Sequence, residues 1–435
     1  MSGLTQRQRR GLVAVLTVAA VARVAWALYA TRAPIAPAVS GDPFFYFTYG
    51  KDLAAGDGYI NVATGDPTAY YPIGYPAVLA ALFWVVRHTP IPDDLPLAGS
   101  LLNVVLGTAS VGLVFVSARR IFDTRVALVG AGIAAVFPNP VLYVATMQLE
   151  TTFTFLVLAA TALVVTHDWS SGLPSRARLL AFGAVLGLSA LVRPFSVPFL
   201  LALSVAVFAT GRGWRAALSA LGWSALVLGV VVTPWVVRNQ IALGAPVFTT
   251  NMGDTLCIDR YVGSNGRFTF VGQQGCTSLP GLEGGNFPDD FEVRSNNHNI
   301  RQAVEFVVEH PGEEARLVLL RARLMFESDS DGLTAVQGAG ADPFIGDRLR
   351  TVLRTTADWY FRVAGLLAIV GLVALFRGRR PDRIFVLGVM LTLLLVPLAL
   401  WGNPRFHVPL LPFVALAAAV PLAGLWRQVE ARRAA

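Results

Sequence analysis

Long apolar runs separated by short polar segments are the dominant pattern of this 435-residue chain. A membrane-spanning helix needs roughly 20 predominantly apolar residues. Runs that reach or approach this length cover residues 11–31, 98–118, 126–144, 148–166, 178–193, 195–211, 216–237, 358–376, 384–401 and 408–426. The pattern therefore predicts an all-α polytopic membrane protein with about ten transmembrane helices.

Two parts of this pattern leave an alternative open. The run at 11–31 is followed by Ala-Pro-Ala at 36–38, which is typical of a signal-peptide cleavage site. Its apolar stretch is longer than the roughly 7–15 residues of a signal peptide, so we favour an uncleaved anchor. The pair 178–193 and 195–211 either spans twice or forms a re-entrant hairpin, because its first run is short and ends at Arg193-Pro194.

The arginines set the predicted orientation. The apolar run 73–86 is too short to cross and contains Pro76, so we place it as a juxtamembrane helix in a first outer loop, 32–97. The short connections then assigned to the cytoplasm are all arginine-rich, as the positive-inside rule requires. They are 118–125, 167–178, 209–216, 376–383 and the C-terminal tail. Both termini are therefore expected in the cytoplasm, in a multi-pass protein of the plasma (inner) membrane.

The long segment 238–357 is expected on the outer side. Its first part, 249–270, is rich in Gly, Asn and Asp and predicts turns and short strands. Its second part, 300–328, has apolar residues at helical spacing between arginines, which predicts interfacial helices. The chain thus divides into a membrane module with the first outer loop (1–237), an outer segment (238–357) and C-terminal transmembrane helices with a tail (358–435).

Composition agrees with a membrane class. The chain is 54% apolar and 14% charged, with a mean hydropathy of +0.58, which excludes an ordinary soluble domain. The net charge of +8 comes from arginines at the ends of apolar runs, so it describes topology and predicts no nucleic-acid partner. Cys257 and Cys276 both fall in the outer segment, where a disulfide is expected and two free thiols are the alternative.

Several polar residues are predicted to meet at one depth of the outer surface. They are Asp42, Glu150, Arg193, Arg238, Asn239, Arg405 and His407. Arginines at helix ends often only anchor to lipid headgroups. Glu150 interrupts an otherwise uncharged stretch, which indicates a function, a buried ion pair or a helix cap. Asp42 is a candidate catalytic base, although its spacing alone favours an N-cap for the segment 44–53.

This collection of residues suits transfer of a sugar from a polyprenyl phosphate. Arginines would hold the phosphate and stabilise its charge as it leaves. A carboxylate would take the proton of an acceptor hydroxyl, and a single displacement would invert the anomeric centre. The alternative is a lipid-linked sugar flippase or another transporter, for which proline-broken runs are typical. A non-catalytic subunit with a degenerate site is a third hypothesis.

The order of short motifs along the chain resembles a known family. The motifs are Asp42 with Tyr46, Leu53…Gly56-Asp57-Gly58-Tyr59, Tyr71-Pro72-Ile73-Gly74-Tyr75-Pro76, Leu191-Val192-Arg193-Pro194, Pro234-Trp235-Val236-Val237-Arg238-Asn239 and Arg405-Phe406-His407-Val408-Pro409. In this order they resemble the GT-C membrane glycosyltransferases. The branch is the family 39-like one, which includes protein mannosyltransferases and lipid A aminoarabinose transferases.

The resemblance implies roles for individual residues. It implies that Asp42 is the catalytic base, that two juxtamembrane helices lie in the first outer loop, and that the donor is a polyprenyl-phosphate sugar. Arg238, Arg405 and Arg193 then become candidates for binding the donor phosphate. The residues expected in the substrate pocket are Tyr46, Tyr71, Tyr75, Glu150, Asn239 and His407.

The sequence departs from the family at one acidic position. Some members carry a second acidic residue just before the proline at Pro72, where this chain has Tyr70 and Tyr71. A divalent metal on Asp42, Glu150 and His407 is conceivable, but five scattered histidines show no ligand spacing. The sequence does not identify the sugar, the oligomeric state, or the acceptor, which is a glycolipid, a polysaccharide or a protein.

Overall fold

Helices account for most of the computed structural model, which describes residues 4–36, 41–90, 94–269, 274–277, 290–338, 344–377 and 380–434. In chain order the helices are α1 Gln6–Ala30, α2 Asp42–Ala55, α3 Gly74–Arg87, α4 Leu95–Ile121, α5 Thr124–Ala135, α6 Pro138–Leu142, α7 Glu150–Val165, α8 Arg176–Val192, α9 Phe199–Val207, α10 Gly213–Leu243, α11 Met252–Cys257, α12 Phe291–Glu309, α13 Pro311–Met325, α14 Asp331–Gln337, α15 Asp347–Phe376, α16 Pro381–Leu395 and α17 Leu411–Ala434. These ranges contain no β-strand, only an isolated bridge between Ile60 and Pro67.

Local sequence explains where several helices begin. Thr5 and Gln8 form a reciprocal capping box at the start of α1. The side chains of Asp94, Asp123 and Ser175 accept hydrogen bonds from the first turns of α4, α5 and α8. Such caps satisfy backbone N–H groups that have no partner inside the helix.

Fewer helices qualify as membrane spans by length and apolar composition than the ten that the sequence predicts. By length and apolar composition, six helices of the described chain qualify, or seven if the bent pair Thr124–Ala135 and Pro138–Ala145 is one span. Prolines explain the 55° bend of that pair, because Pro138 cannot continue an α-helix from the preceding turn. The predicted spans 148–166 and 178–193 become α7 and α8, with 16 and 17 residues, too short to qualify. Ten spans are therefore not confirmed.

One of the six qualifying stretches contains a reversal of the chain. Pro194–Leu243 is 50 residues long, and a straight helix of that length would extend about 75 Å, far beyond a bilayer core of about 30 Å. Gly211 and Gly213 have positive φ angles of 78° and 82° inside it, which a helix does not permit. Helices α9 and α10 pack against each other on either side of this turn. The predicted pair 195–211 and 216–237 therefore exists as two packed helices.

Polar contacts identify one end of the bundle, which we call the arginine end. Arg120 pairs with Asp168 at 3.2 Å, and the Arg380 guanidinium donates to the carbonyl of Arg120 at 3.3 Å. Arg125 and Arg427 join the start of α5 to the last turns of α17. The connections α4–α5, α7–α8 and α15–α16 thus meet at this end, as the arginine distribution predicted.

The outer segment is helical where the structure describes it. Residues 249–258, predicted as turns and short strands, contain the helix α11 instead, and no strand forms in the described part of 238–357. Helices α12 and α13 meet at His310-Pro311, as predicted for the interfacial helices. Cys257, the last residue of α11, forms a disulfide bond with Cys276.

A single hydrophobic core joins the N-terminal and C-terminal membrane helices. It includes Leu12 of α1, Phe153 of α7, Phe385 of α16 and Phe413 of α17, all nearly or fully buried. The predicted boundaries at residues 237 and 358 therefore separate parts of the sequence only. The membrane helices before and after these boundaries pack together in one core.

Helix α15 packs on α17 through a glycine, and this contact predicts a large stability difference. A Cβ on Gly371 would lie 1.9 Å from the carbonyl oxygen of Ala417, whereas one on Gly365 would meet nothing within 4 Å. We expect Gly371→Ala to destabilise the fold by about 1–3 kcal/mol, as overpacking does. Gly365→Ala, on the same helix, should be neutral. Thermal unfolding in detergent measures both, and equal midpoints would contradict this close crossing of α15 and α17.

Candidate active site

A cavity of ≈ 190 Å³, which we call the Asp42 cavity, opens at the end of the bundle opposite the arginine end. The first outer loop supplies part of its wall, including Asp42 and Tyr71. Another part of the wall comes from two turns at helix ends: Pro194–Ser196, which follows α8, and Pro404–Leu410, which precedes α17. The outer segment covers it with residues from 249 to 268. Leu149, just before α7, also lines the cavity, which is thus built by five distant parts of the chain.

Asp42 directs its carboxylate into this cavity. Gly41 is the N-cap residue of α2, with a φ of 60°, and no side chain caps the helix. Asp42 is therefore the first helical residue, and its Oδ1 accepts a hydrogen bond from the Tyr71 hydroxyl at 2.7 Å. Its Oδ2 pairs with Arg405 Nη1 at 2.7 Å, and its side chain keeps 26% of its surface exposed. The N-cap alternative is therefore wrong for Asp42.

The surroundings keep Asp42 ionised. Burial would raise the pKa of this carboxyl, but the charge of Arg405 and the Tyr71 hydrogen bond oppose it, with a smaller contribution from Arg193. The balance holds the pKa of Asp42 below its ordinary value. The carboxylate is therefore present throughout the neutral range and can accept a proton.

Glu150 joins the two arginines of the cavity into one charged chain. Its Oε1 lies 2.9 Å from Arg193 Nη2 and 3.1 Å from Arg405 Nε, and its side chain is completely buried. The sequence of contacts is therefore Asp42, Arg405, Glu150 and Arg193. Two carboxylates thus balance two guanidinium groups, which is the condition for keeping charges inside a protein.

Arg193 retains binding capacity towards the cavity. Its Nη1 is buried and has no hydrogen-bond partner in the described structure. Its guanidinium lies 5.1 Å from the centre of the Phe195 ring and 5.6 Å from that of Phe406. Aromatic rings hold a guanidinium in place without consuming its N–H donors. Arg193 therefore lines the cavity with a guanidinium that is held in place and has one unused N–H donor.

Two tyrosines predicted for the substrate pocket reach the cavity. Tyr46 and Tyr71 line it, and their ring centres are 5.0 Å apart. Tyr75 packs behind Tyr46 at 5.4 Å and is fully buried, so it supports the wall and does not line it.

Arg238 and Asn239 do not reach the cavity, contrary to the prediction. The Arg238 guanidinium donates to the carbonyls of Thr68 and Tyr59 at 2.6 and 2.7 Å. Asn239 accepts from Arg238 and donates to the carbonyl of Val247. These side chains fasten the first outer loop to the end of α10, and both Nη1 and Nη2 of Arg238 donate to backbone carbonyls. Arg238 therefore has a structural role here.

His407 also lies behind the cavity wall. Its Nε2 is 2.8 Å from Asp329 Oδ1 and its Nδ1 is 2.5 Å from the carbonyl of Met325. Its ring stacks on Phe361 at 4.8 Å. With Glu150 held by arginines and His407 held by Asp329, the three residues considered as metal ligands do not converge. No group of three or more potential metal ligands occurs among the described residues.

The sequence did not indicate Asp254, which lines the cavity from the outer segment. Its Oδ2 accepts from the Tyr70 hydroxyl at 2.8 Å and its Oδ1 from Asn299 Nδ2 at 2.7 Å. Tyr70 and Tyr71, which replace the family's acidic position, therefore each hold one carboxylate of this cavity. In the sequence, only the adjacency of Tyr70 and Tyr71 could have indicated a second carboxylate in the cavity.

Removing the Tyr71 hydroxyl predicts a shift of the pH profile. Tyr71→Phe abolishes a hydrogen bond that lowers the pKa of Asp42, so that pKa should rise. The role of catalytic base that the sequence predicts for Asp42 requires the deprotonated form, so the acidic limb of the rate profile should move to higher pH. Steady-state rates of sugar transfer from neutral pH down to about pH 3, below the ordinary pKa of an aspartate, test this. Tyr70→Phe, which removes a hydrogen bond to Asp254, should leave the limb in place, and an unshifted limb in Tyr71→Phe would contradict the assignment of Asp42.

Sequence and structure comparisons agree with this architecture. Residues 76–237 match the family model for dolichyl-phosphate-mannose-protein mannosyltransferase, which is less than half of the chain. No curated protein sequence matches. The Archaeoglobus fulgidus oligosaccharyltransferase in the apo form superposes with a TM-score of 0.53 at 16% identity, over 97% of this chain and 51% of that one.

Two further solved structures are similar. The same archaeal enzyme, AglB, in complex with an inhibitory peptide and a dolichol-phosphate, gives a TM-score of 0.53 at 15% identity, over 99% of this chain and 52% of that one. ArnT from Cupriavidus metallidurans bound to undecaprenyl phosphate gives only 0.41 at 16% identity, over 92% and 77%. This chain spans about half the length of the archaeal structures. The family match over 76–237 agrees with the resemblance drawn from the sequence motifs, and the archaeal structures show a similar fold.

Proposed function

We propose that this integral membrane protein is an inverting glycosyltransferase that uses a polyprenyl-phosphate sugar as its donor. The observation that carries the proposal is the carboxylate of Asp42, exposed in a cavity whose wall also holds Arg405 and Arg193. The neighbours AglB and ArnT were solved with dolichol-phosphate and undecaprenyl phosphate. The family model over 76–237 carries a dolichyl-phosphate-mannose description. These lipids suggest the class of donor.

Each of these residues has a separate role in the proposed reaction. Arg405 and the free Nη1 of Arg193 bind the donor phosphate, which competes with Asp42 for Arg405. The acceptor hydroxyl then forms a bond with the anomeric carbon, and its proton passes to Asp42. The bond between that carbon and the phosphate oxygen breaks, and polyprenyl phosphate leaves with the electron pair. The arginines stabilise the charge that develops on the phosphate.

The arrangement of charges supports an extracytoplasmic site. The Asp42 cavity lies opposite the arginine end, and short arginine-rich connections face the cytoplasm in most membrane proteins. Both termini lie on the cytoplasmic side in this proposal, and the disulfide between Cys257 and Cys276 lies in an oxidising compartment. Cysteine labelling of single-cysteine variants at the two ends in intact cells tests the orientation.

A transfer assay in proteoliposomes tests the function directly. The protein is supplied with short-chain polyprenyl phosphates bearing radiolabelled mannose, glucose or arabinose, together with a cell-envelope extract as acceptor. A transferase releases sugar-free polyprenyl phosphate and forms a labelled product of inverted anomeric configuration. A flippase would move the intact lipid across the bilayer and release no polyprenyl phosphate. Transport without cleavage would therefore overturn the proposal.

A further inference from the structure

The Asp42 cavity has two chemically different halves. One half, described above, carries the guanidinium groups of Arg193 and Arg405. The other half comes from the outer segment and contains Asp254, Asn251 and Thr255, with no arginine or lysine among its described lining residues. The proposed function uses only the cationic half, so the second half remains to be explained.

Asp254 brings a negative charge that no cation balances. Its two oxygens each accept one hydrogen bond from a neutral donor, Tyr70 or Asn299, and no ion pair to it occurs in the described structure. A carboxylate has about four acceptor positions, so it can accept further hydrogen bonds from a ligand in the cavity. Because hydroxyl groups donate strong hydrogen bonds to a carboxylate and a carboxylate repels anions, this half favours hydroxyl-bearing ligands over anionic ones.

An aromatic surface lines the same cavity as Asp254. Trp401 and Phe268 both line the cavity, and their ring centres are 5.3 Å apart. The backbone N–H of Gly402 donates to the carbonyl of Gly266 at 2.8 Å, which fixes the two chain segments that carry these rings. Sugar rings have an apolar C–H face and a rim of hydroxyls, so they pack on aromatic faces while their hydroxyls bind polar groups.

This half of the cavity is rigidly built. The N–H of Gly253 donates to Asn296 Oδ1 at 2.8 Å, and a Cβ on Gly253 would lie 2.3 Å from the Asn296 carbonyl oxygen. Helix α11 is therefore pressed directly against α12. Cys257, one turn after Asp254, is joined to Cys276. A preformed arrangement avoids the entropic cost of ordering a binding surface when the ligand arrives.

We propose that Asp254 and Trp401 form the acceptor subsite, and that the acceptor is an uncharged carbohydrate. The inference rests on the proposed function, because it assigns the half of the cavity that the donor phosphate does not use. Tyr70 and Tyr71, whose ring centres are 5.1 Å apart, connect the two halves by holding Asp254 and Asp42 respectively. One hydroxyl of the acceptor then faces Asp42 while others bind Asp254.

A binding experiment tests this proposal separately from turnover. Saturation-transfer NMR is run on the protein in nanodiscs with saturating undecaprenyl phosphate, so that Arg193 and Arg405 are occupied. It compares neutral trisaccharides (glucose, mannose and galactose series) with their sulfated derivatives and with a serine- and threonine-rich peptide. We expect at least one neutral trisaccharide to bind, and the sulfated forms to bind about tenfold more weakly or worse, because Asp254 repels anions. Binding of the peptide or of the sulfated sugars in preference to every neutral one would overturn the proposal.

Variants locate the binding within the cavity. Asp254→Asn keeps the shape of the side chain but removes its charge, and we expect affinity for the neutral trisaccharide to fall about ten- to a hundredfold. Trp401→Leu should have a similar effect and Trp401→Phe a smaller one. Asp290→Asn, an exposed carboxylate of the same outer segment, is the matched control. Unchanged affinity in both Asp254→Asn and Trp401→Leu would place the acceptor elsewhere.

Measurements of donor binding and of sugar transfer distinguish a failure of the acceptor inference from a failure of the proposed function. Binding of undecaprenyl phosphate should be the same in Asp254→Asn as in the unmodified protein, because Arg193 and Arg405 are intact. If the trisaccharide binds at Asp254 and no sugar is ever transferred, the glycosyltransferase proposal fails and the carbohydrate site stands. If sugar is transferred to a peptide with Asp254→Asn fully active, the acceptor inference fails and the transferase proposal stands.

Discussion

Replacing Asp42 by Asn should lower the rate of sugar transfer by about 10²–10⁴-fold, the usual contribution of a general base. The amide cannot take the proton of the acceptor hydroxyl, whereas it can still accept the hydrogen bond that Tyr71 now donates at 2.7 Å. Arg405 keeps its contact with Glu150. The fold should therefore survive, and initial rates at saturating donor and acceptor measure the loss.

A control on the same helix makes this result specific. Asp52 lies near the C-terminal end of α2 and does not line the cavity, so Asp52→Asn should retain full activity. Binding of undecaprenyl phosphate to Asp42→Asn should be equal or tighter, because Arg405 loses its competing carboxylate. Transfer by Asp42→Asn at a rate close to that of the unmodified protein would remove Asp42 from the mechanism.

The sequence could predict those residues of the site whose depth in the membrane is set by the hydrophobic pattern. Asp42, Arg193 and Arg405 stand where apolar runs end, and all three line one cavity. Arg238 stands in an equivalent place, yet its guanidinium turns to the carbonyls of Tyr59 and Thr68. An apolar run fixes how deep a side chain lies. It does not fix which neighbour that side chain meets, because the neighbour comes from the first outer loop, 170 or more residues earlier in the chain.

Asp254 is a residue of the cavity that the hydrophobic pattern could not predict. It lies in a polar stretch without helical or strand periodicity, so the sequence predicted turns and strands there. Its place in the cavity depends on contacts that α11 makes with Asn296 and Asn299 of α12, which are distant in sequence. The predicted count of ten spans is not confirmed, for a related reason. Helices α7 and α8 differ from spanning helices only in being too short. The apolar run 148–166 is longer than α7, because it extends beyond the helical residues at both ends.

Replacing Glu150 by Gln should cause the largest loss of stability among substitutions in the site. Its carboxylate is fully buried and contacts both Arg193 and Arg405. Gln removes the negative charge and leaves two buried guanidinium groups with only Asp42 to balance them. Breaking a buried ion pair by removing one partner costs about 3–5 kcal/mol. The unfolding midpoint in detergent should fall accordingly, with transfer activity falling as Arg405 loses its position.

A double variant distinguishes a charge effect from a loss of packing. Arg193→Gln combined with Glu150→Gln removes one charge of each sign, so it should be less destabilising than the sum of the two single changes. Asp168→Asn breaks an exposed pair with Arg120 at the arginine end and should leave the midpoint almost unchanged. Additive effects of the two site substitutions would mean that Glu150 and Arg193 do not interact as ions.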